Sequence, residues 1–220
     1  MIKKIDILGT CVDNYSVREA ISRVEQYLNN NEMKLIETIT LKQLSNAAEN
    51  MQQREAIEAL DLSVIGDREI LKAAGIHSPQ RVQEVQDQHF FKEFMERVIR
   101  NEKTIYLLAA EESDQQEFRE FLTRHYEKAV VKGSSLIAED LSDADAVIND
   151  INIEAPDVLL SLLPSPLWEA FILSNRGKLN AKIWYGTGRD TIFRENAGIR
   201  KLLENLQLKI QLKSYQERNG

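Results

Sequence analysis

Glycine is scarce in this chain: nine residues in 220, about 4% against the ~7% of ordinary chains. Loops that cradle phosphate with backbone N–H groups are usually built on glycine, so the shortage argues against an ordinary nucleotide-binding loop. Cysteine occurs once, which excludes an internal disulfide and a disulfide-stapled secreted domain. No stretch approaches the ~18 apolar residues of a membrane span. The opening holds Lys3 and Lys4 but no long apolar run, so no secretory leader is expected. Basic residues are in deficit: 28 Lys+Arg against 35 Asp+Glu give a net charge of −7, the wrong sign for a general nucleic-acid binder. Hydrophobic residues at 43% are too many for a disordered chain. What is left is a globular protein of one domain, expected in the cytoplasm, long enough to bury a substantial core.

What is present alternates. Short apolar runs at 5–9, 34–40, 62–65, 104–109, 129–132, 158–163 and 181–186 read as strands. Several are almost continuous Ile, Leu, Val and Tyr, as strands buried on both faces are. Helical patterns lie between them. Ser16 and Glu19 form a capping-box pattern ahead of Ala20, Ile21, Val24 and Leu28. Ser113 and Ser142 open two further helices, and Phe90, Phe91, Phe94, Met95, Val98 and Ile99 give a fourth one wide apolar face. This alternation predicts an α/β, Rossmann-like three-layer fold, with a largely parallel sheet flanked by helices. Residues 75–88 are the longest polar interruption, read as a connecting loop or a loop over the site. Residues 1–197 form the domain. Residues 198–220, with Arg200, Lys201, Lys209, Lys213 and Arg218 against Glu204 and Glu217, read as a basic terminal helix and edge strand packed on it, with weak or no membrane contact.

In such folds ligands sit beyond the carboxyl ends of the strands. No Gly-x-Gly-x-x-Gly, Walker or Gly-x-Ser-x-Gly motif is present. His77, His89 and His125 have no metal-ligand spacing, so no metal is expected. Gly186-Thr187-Gly188 could bring backbone N–H groups to a phosphate, or simply make a tight strand-end turn. Asp13, Asn14 and Asp67 follow apolar runs, where a carboxylate can take a proton from a substrate hydroxyl. Turn and capping chemistry explains them equally well.

These residues together resemble the WecB/TagA/CpsF family of bacterial glycosyltransferases. Ile7-Leu8-Gly9, Asp13-Asn14 and Glu19-Ala20 are similar to the family's opening Leu-Gly-x-x-x-Asp-Asn segment. Thr38-Ile39-Thr40 falls at its Thr-x-Asn, and Arg81-Val82 at its Arg-Val. Ile105-Tyr106-Leu107-Leu108 falls at its Leu-Leu-Gly-Gly strand, and Pro166 and Glu169 at its Pro-x-Gln-Glu. Gly186 to Ile192 falls at its Val-Gly-Gly-x-Phe-Asp strand end. The resemblance covers nearly the whole chain. It implies metal-free, inverting transfer of N-acetylmannosamine or a related sugar from a UDP-sugar, which is a substrate rather than a cofactor. The acceptor it implies is a polyprenyl-diphosphate-linked lipid at the cytoplasmic membrane face, in cell-envelope polysaccharide assembly. It assigns ligand contacts to Asp13, Asn14, Thr38, Thr40, Arg81, Pro166, Glu169, Gly186, Gly188 and Arg189, and the base to Asp67.

The departures concentrate where the family handles its sugar nucleotide. The family's Asp-Gly after its third strand is Gly66-Asp67 here, and its Gly-Gly is Ala109-Ala110, followed by Glu111 and Glu112. Added carboxylates repel a diphosphate. Trp168 stands for the Gln, and Pro164 for the Gly before the Pro. Three readings stay open. One is an active transferase with Asp67 as a shifted base. Another is an impaired member that binds a nucleotide sugar or partners an envelope glycosyltransferase. The last is a structural homo-oligomer on the same sheet.

Overall fold

The computed structural model describes residues 4–30, 32–188 and 192; Arg189 and the segment 198–220 lie outside them. The chain opens with β1 (Lys4–Ile7) and β2 (Thr10–Asp13), then α1 (Val17–Leu28) and β3 (Lys34–Ile39). Two helices follow, α2 (Leu41–Glu49) and α3 (Met51–Glu58), before β4 (Leu62–Ile65). Next come α4 (Arg68–Ala73), α5 (Pro79–Gln86), α6 (His89–Arg100) and β5 (Thr104–Ala109). The second half runs α7 (Glu112–His125), β6 (Val130–Leu136), α8 (Ala144–Glu154), β7 (Val158–Ser161), α9 (Leu167–Asn175) and β8 (Ile183–Gly186).

Among the described residues six strands form one sheet in the order β4-β3-β8-β7-β5-β6, and every pairing in it is parallel. The expected α/β architecture is therefore the observed one. Alternate residues of the central strands feed two cores. Leu35, Leu159 and Trp184 pack with Leu44, Ile151 and Phe171 on the face of α2, α8 and α9. Ile36, Leu107, Ile183 and Tyr185 pack with Val24, Phe94 and Phe118 on the face of α1, α6 and α7. Burying each such side chain contributes ~1.5–3 kcal/mol, which is why these strands read as nearly continuous apolar runs.

Several local expectations are corrected. Residues 5–9 are not a strand of the main sheet. Leu8 (φ 56°) and Gly9 (φ 80°) make a two-residue turn of the kind that closes hairpins, and β1 pairs antiparallel with β2. The run at 129–132 extends through Leu136. As the outer strand of the sheet, β6 tolerates polar residues on its solvent side. The stretch 75–88 contains helix α5, opened by Ser78 as N-cap with Pro79 following it. The helices expected from Ser113 and Ser142 start at Glu112 and Ala144, with Glu111 and Asp143 at the cap positions. The capping box of Ser16 and Glu19 is formed as the pattern predicts. No helix of the described residues is long and apolar enough to cross a membrane.

Candidate functional site

The hairpin and the edge strand β4 are joined by Asp13. Its carboxylate Oδ2 accepts from Ser63 N (2.9 Å) and Ser63 Oγ (3.1 Å), while its own N–H donates to Ser63 Oγ (2.7 Å). The group is buried, so a β4 amide that would otherwise face an open sheet edge is satisfied by a side chain. Asn14, one residue on, accepts from Arg81 Nη2 (3.4 Å). This carries the first loop to α5, where Arg81 Nη1 pairs with Glu84 Oε2 at 2.6 Å. The same Glu84 Oε2 accepts from the N–H of Val17 (3.3 Å), the first residue of α1.

Beneath Arg81 and Glu84 lies a cavity of about 40 Å³, bounded by Thr38, Gly66, Val85, Phe90 and Tyr185. It sits at the carboxyl ends of β3, β4 and β8. It has room for about three waters and is far smaller than the ~300 Å³ of a typical ligand pocket. Its floor is aromatic. Tyr185 packs edge-on against Phe94 (4.7 Å between centroids) and Phe90 (5.5 Å), and its hydroxyl lies 3.0 Å from Thr38 Oγ1. Burial holds the Tyr185 phenol well above its ordinary pKa, so it stays a neutral hydrogen-bonding group.

Asp67 is expected as the base or as a helix cap. It occupies the cap position of α4 without capping it. Its Oδ2 instead accepts from the N–H of Leu41 at 2.9 Å, at the first residue of α2, where a negative charge favours the helix dipole. Thr40 is also committed to α2. It is the N-cap in a capping box with Gln43, whose Oε1 accepts from the Thr40 amide and hydroxyl, both at 2.8 Å.

Gly186 and Glu169 meet on the opposite face of the sheet, beside Glu37. Because side chains alternate along a strand, Thr38 faces the cavity and Glu37 faces α2 and α9. Glu37 is fully inside the protein at 2% exposure, with Trp184 Nε1 3.5 Å from its Oε2. A Cβ on Gly186 would overlap the Glu37 carboxylate, so the glycine makes room for an acid rather than for a phosphate. Burial and then the nearby Glu169 charge push the Glu37 pKa well up. Glu169 is likewise buried, accepts from Ser165 Oγ at 2.5 Å, and its pKa is pushed up to about 7 by burial. Its Oε2 meets no donor among the described residues. Pro166 sits at the cap position of α9. Gly188 takes φ 64°, a conformation that glycine adopts without strain. Arg189 lies outside the described residues.

Topology offers one more place. β5 and β7 are neighbours, yet α7 and α9 lie on opposite faces, which marks a crevice at their carboxyl ends. Glu111, Glu112 and Asp114 stand at that end of β5 and Glu169 in the first turn of α9. These helix N-termini already carry acids, which leaves them poor receivers for a diphosphate. Among the described residues no group of three His, Cys, Asp or Glu could hold a metal ion.

The structure thus brings Thr38 and Arg81 together around one cavity, with Asn14 bound to Arg81, and gathers Glu169 and Gly186 at Glu37 behind the sheet. The sequence reading missed Glu37, Glu84 and Tyr185. An acid inside the apolar run 34–40 was a usable signal for the first; nothing marked the other two. The glycosyl transferase WecG/TagA/CpsF family model matches residues 5–198. No curated protein matches the chain.

Proposed function

The chain belongs to the WecG/TagA/CpsF glycosyltransferase family, and from that premise we propose that it binds a UDP-N-acetylhexosamine beside Thr38, Gly66 and Arg81 but transfers the sugar poorly. The family's reaction needs a base to take the proton of the acceptor hydroxyl. The acceptor oxygen then attacks the anomeric carbon, and the bond to UDP breaks with its electron pair leaving on the diphosphate. The observation that carries the reading is Asp67. Its carboxylate is held on the Leu41 N–H, and the neighbouring Asp13 is held on Ser63. Both carboxylates are engaged with donors of the protein itself, which leaves them poorly placed to take a proton from an acceptor. Donor binding is supported by Arg81, held by Asn14, at the rim of the cavity and by the hydroxyls of Thr38 and Tyr185 in its floor.

One observation favours the active alternative. Gly66 borders the cavity and Asp67 is its neighbour, so a turn of this one residue would bring the carboxylate to the rim as base. Either way the acceptor is a polyprenyl-diphosphate-linked lipid, and the protein works peripherally at the inner face of the membrane, in cell-envelope polysaccharide synthesis. UDP release from UDP-N-acetylhexosamines, with a lipid-diphosphate acceptor mimic, separates the two readings. The proposal expects saturable donor binding with UDP release no faster than in buffer. Release that Asp67→Asn abolishes overturns it in favour of the active enzyme.

A further inference from the structure

Three features remain after the site is described. The hollow between α1 and α6 is lined by Glu25, Lys92, Glu93 and Arg97, and Arg97 Nε is already paired with Glu25 Oε1 at 2.9 Å. The outer strand β6 carries a register irregularity opposite Ile105 and Tyr106, a feature that discourages edge-to-edge pairing. The third feature is α5, and it carries an inference that rests on the sugar-nucleotide reading above.

α5 roofs the cavity. Arg81, Glu84 and Val85 from this one helix, with Gln88 just beyond it, line the space. Of its eight residues only Glu84 and Val85 are buried, so little apolar surface fastens it down. The chain enters the helix after Gly75 (φ 70°) and leaves it through Gln88 (φ 54°). A Cβ on Gly75 would meet nothing within 4 Å. Both ends therefore turn through left-handed backbone, and one of them does so in open space. Polar contacts tie the helix to the body through Arg81 Nη2, which donates to Asn14 Oδ1 at 3.4 Å, and through the Glu84 carboxylate, which also holds Arg81 within the helix. Glu84 Oε2 takes Arg81 Nη1 at 2.6 Å and the Val17 N–H at 3.3 Å. A guanidinium and a helix N-terminal amide are both donors that recognise phosphate oxygens. Here both are given to the protein's own acid.

We propose that α5 is a latched lid in which the Glu84 carboxylate occupies the place of an incoming phosphate at Arg81 and Val17, so that ligand entry exchanges one anion for another and lifts the helix. The cavity of about 40 Å³ is the closed state. The chemistry recognised is a diphosphate, alone or in a nucleotide sugar. In this role Glu84 is a positioning residue, since it acts through Arg81.

Hydrogen exchange read peptide by peptide tests the lid without any ligand. Glu84→Gln keeps the shape and one oxygen to accept from Arg81 and Val17, but removes the charge and the acceptor that Gln80 Nε2 meets at 3.5 Å. It is expected to speed exchange across 79–86 about tenfold, leaving α6 and the central strands unchanged. With inorganic pyrophosphate and UDP as probes, the same variant is expected to bind about tenfold more tightly, because no internal acid competes. Exchange across 79–86 as slow as in α6 in both proteins overturns the lid. UDP binding that is equal or weaker in Glu84→Gln overturns the anion exchange while leaving the sugar-nucleotide reading standing. Absence of both pyrophosphate and UDP binding in both proteins overturns that reading and the exchange together, and the exchange rates alone then decide the lid. A melting temperature within a few degrees of wild type shows that the variant is folded.

Discussion

Gly186→Ala is expected to destabilise the protein by about 3 kcal/mol or more, a large share of the ~5–15 kcal/mol that holds a domain folded. The new methyl group would overlap the Glu37 carboxylate. Both residues lie on adjacent, hydrogen-bonded strands, where Glu37 is the direct partner of Gly186. The backbone cannot part without breaking the ladder, so Glu37 must move. It then loses Trp184 Nε1 and its contact with Gln43. Overpacking costs ~1–3 kcal/mol and an unsatisfied buried polar group a further ~1–3 kcal/mol. A double-mutant cycle isolates the cause. In a Glu37→Ala background, Gly186→Ala is expected to cost less than about 1 kcal/mol, because the overlapping oxygen is gone. Urea unfolding of the four proteins reads this directly. An equal cost in both backgrounds would show that Gly186 is needed for something other than room for Glu37.

Glu169→Gln is expected to change how stability depends on pH. The folded protein holds the Glu169 proton up to about pH 7, against 4.5 for the ordinary group. Between those values the unfolded chain has released its proton while the folded chain keeps it. The folded state binds more protons there, so stability falls as pH rises from 4.5 to 7 and levels off above. A glutamine titrates in neither state and removes that fall. Relative to wild type, the variant should therefore gain about 3 kcal/mol between pH 4.5 and pH 8. Glu37, whose pKa is raised by the same burial and by Glu169 itself, acts in the same direction. Chemical denaturation of both proteins at several pH values checks this. A stability difference that stays flat from pH 4.5 to 8 would mean that Glu169 is charged in the folded protein.

The central strands were legible because burial on both faces leaves only apolar residues to choose from. β3, β5, β7 and β8 therefore appear as largely apolar runs rich in Leu, Ile, Val and Tyr. The hairpin was not, because its turn places Leu8 at positive φ, which side chains with a Cβ rarely adopt and no sequence pattern announces. α5 was hidden for a different reason. A helix that buries only an acid and a valine has no apolar stripe to show. The candidate site was half legible. Thr38, Asn14 and Arg81 do converge, but the roles of Asp13 and Asp67 depend on what their carboxylates touch. Those partners, Ser63 and Leu41, lie 50 and 26 residues away along the chain. The family resemblance placed residues 38–40, Gly66 and Gly186 at strand ends, where β3, β4 and β8 do end, but not the opening hairpin. It could not say that Glu37 would claim the space at Gly186, or that Glu84 would occupy Arg81.

The central claim is that the cavity between β3, β4 and α5 is where this family member receives its sugar nucleotide. A crystal structure with UDP bound tests it most directly. The account predicts the diphosphate on Arg81 and the Val17 N–H, with Glu84 displaced, α5 lifted, and Asp67 still on Leu41. UDP seated instead at the carboxyl ends of β5 and β7, with α5 unmoved and the Arg81–Glu84 pair intact, would contradict it.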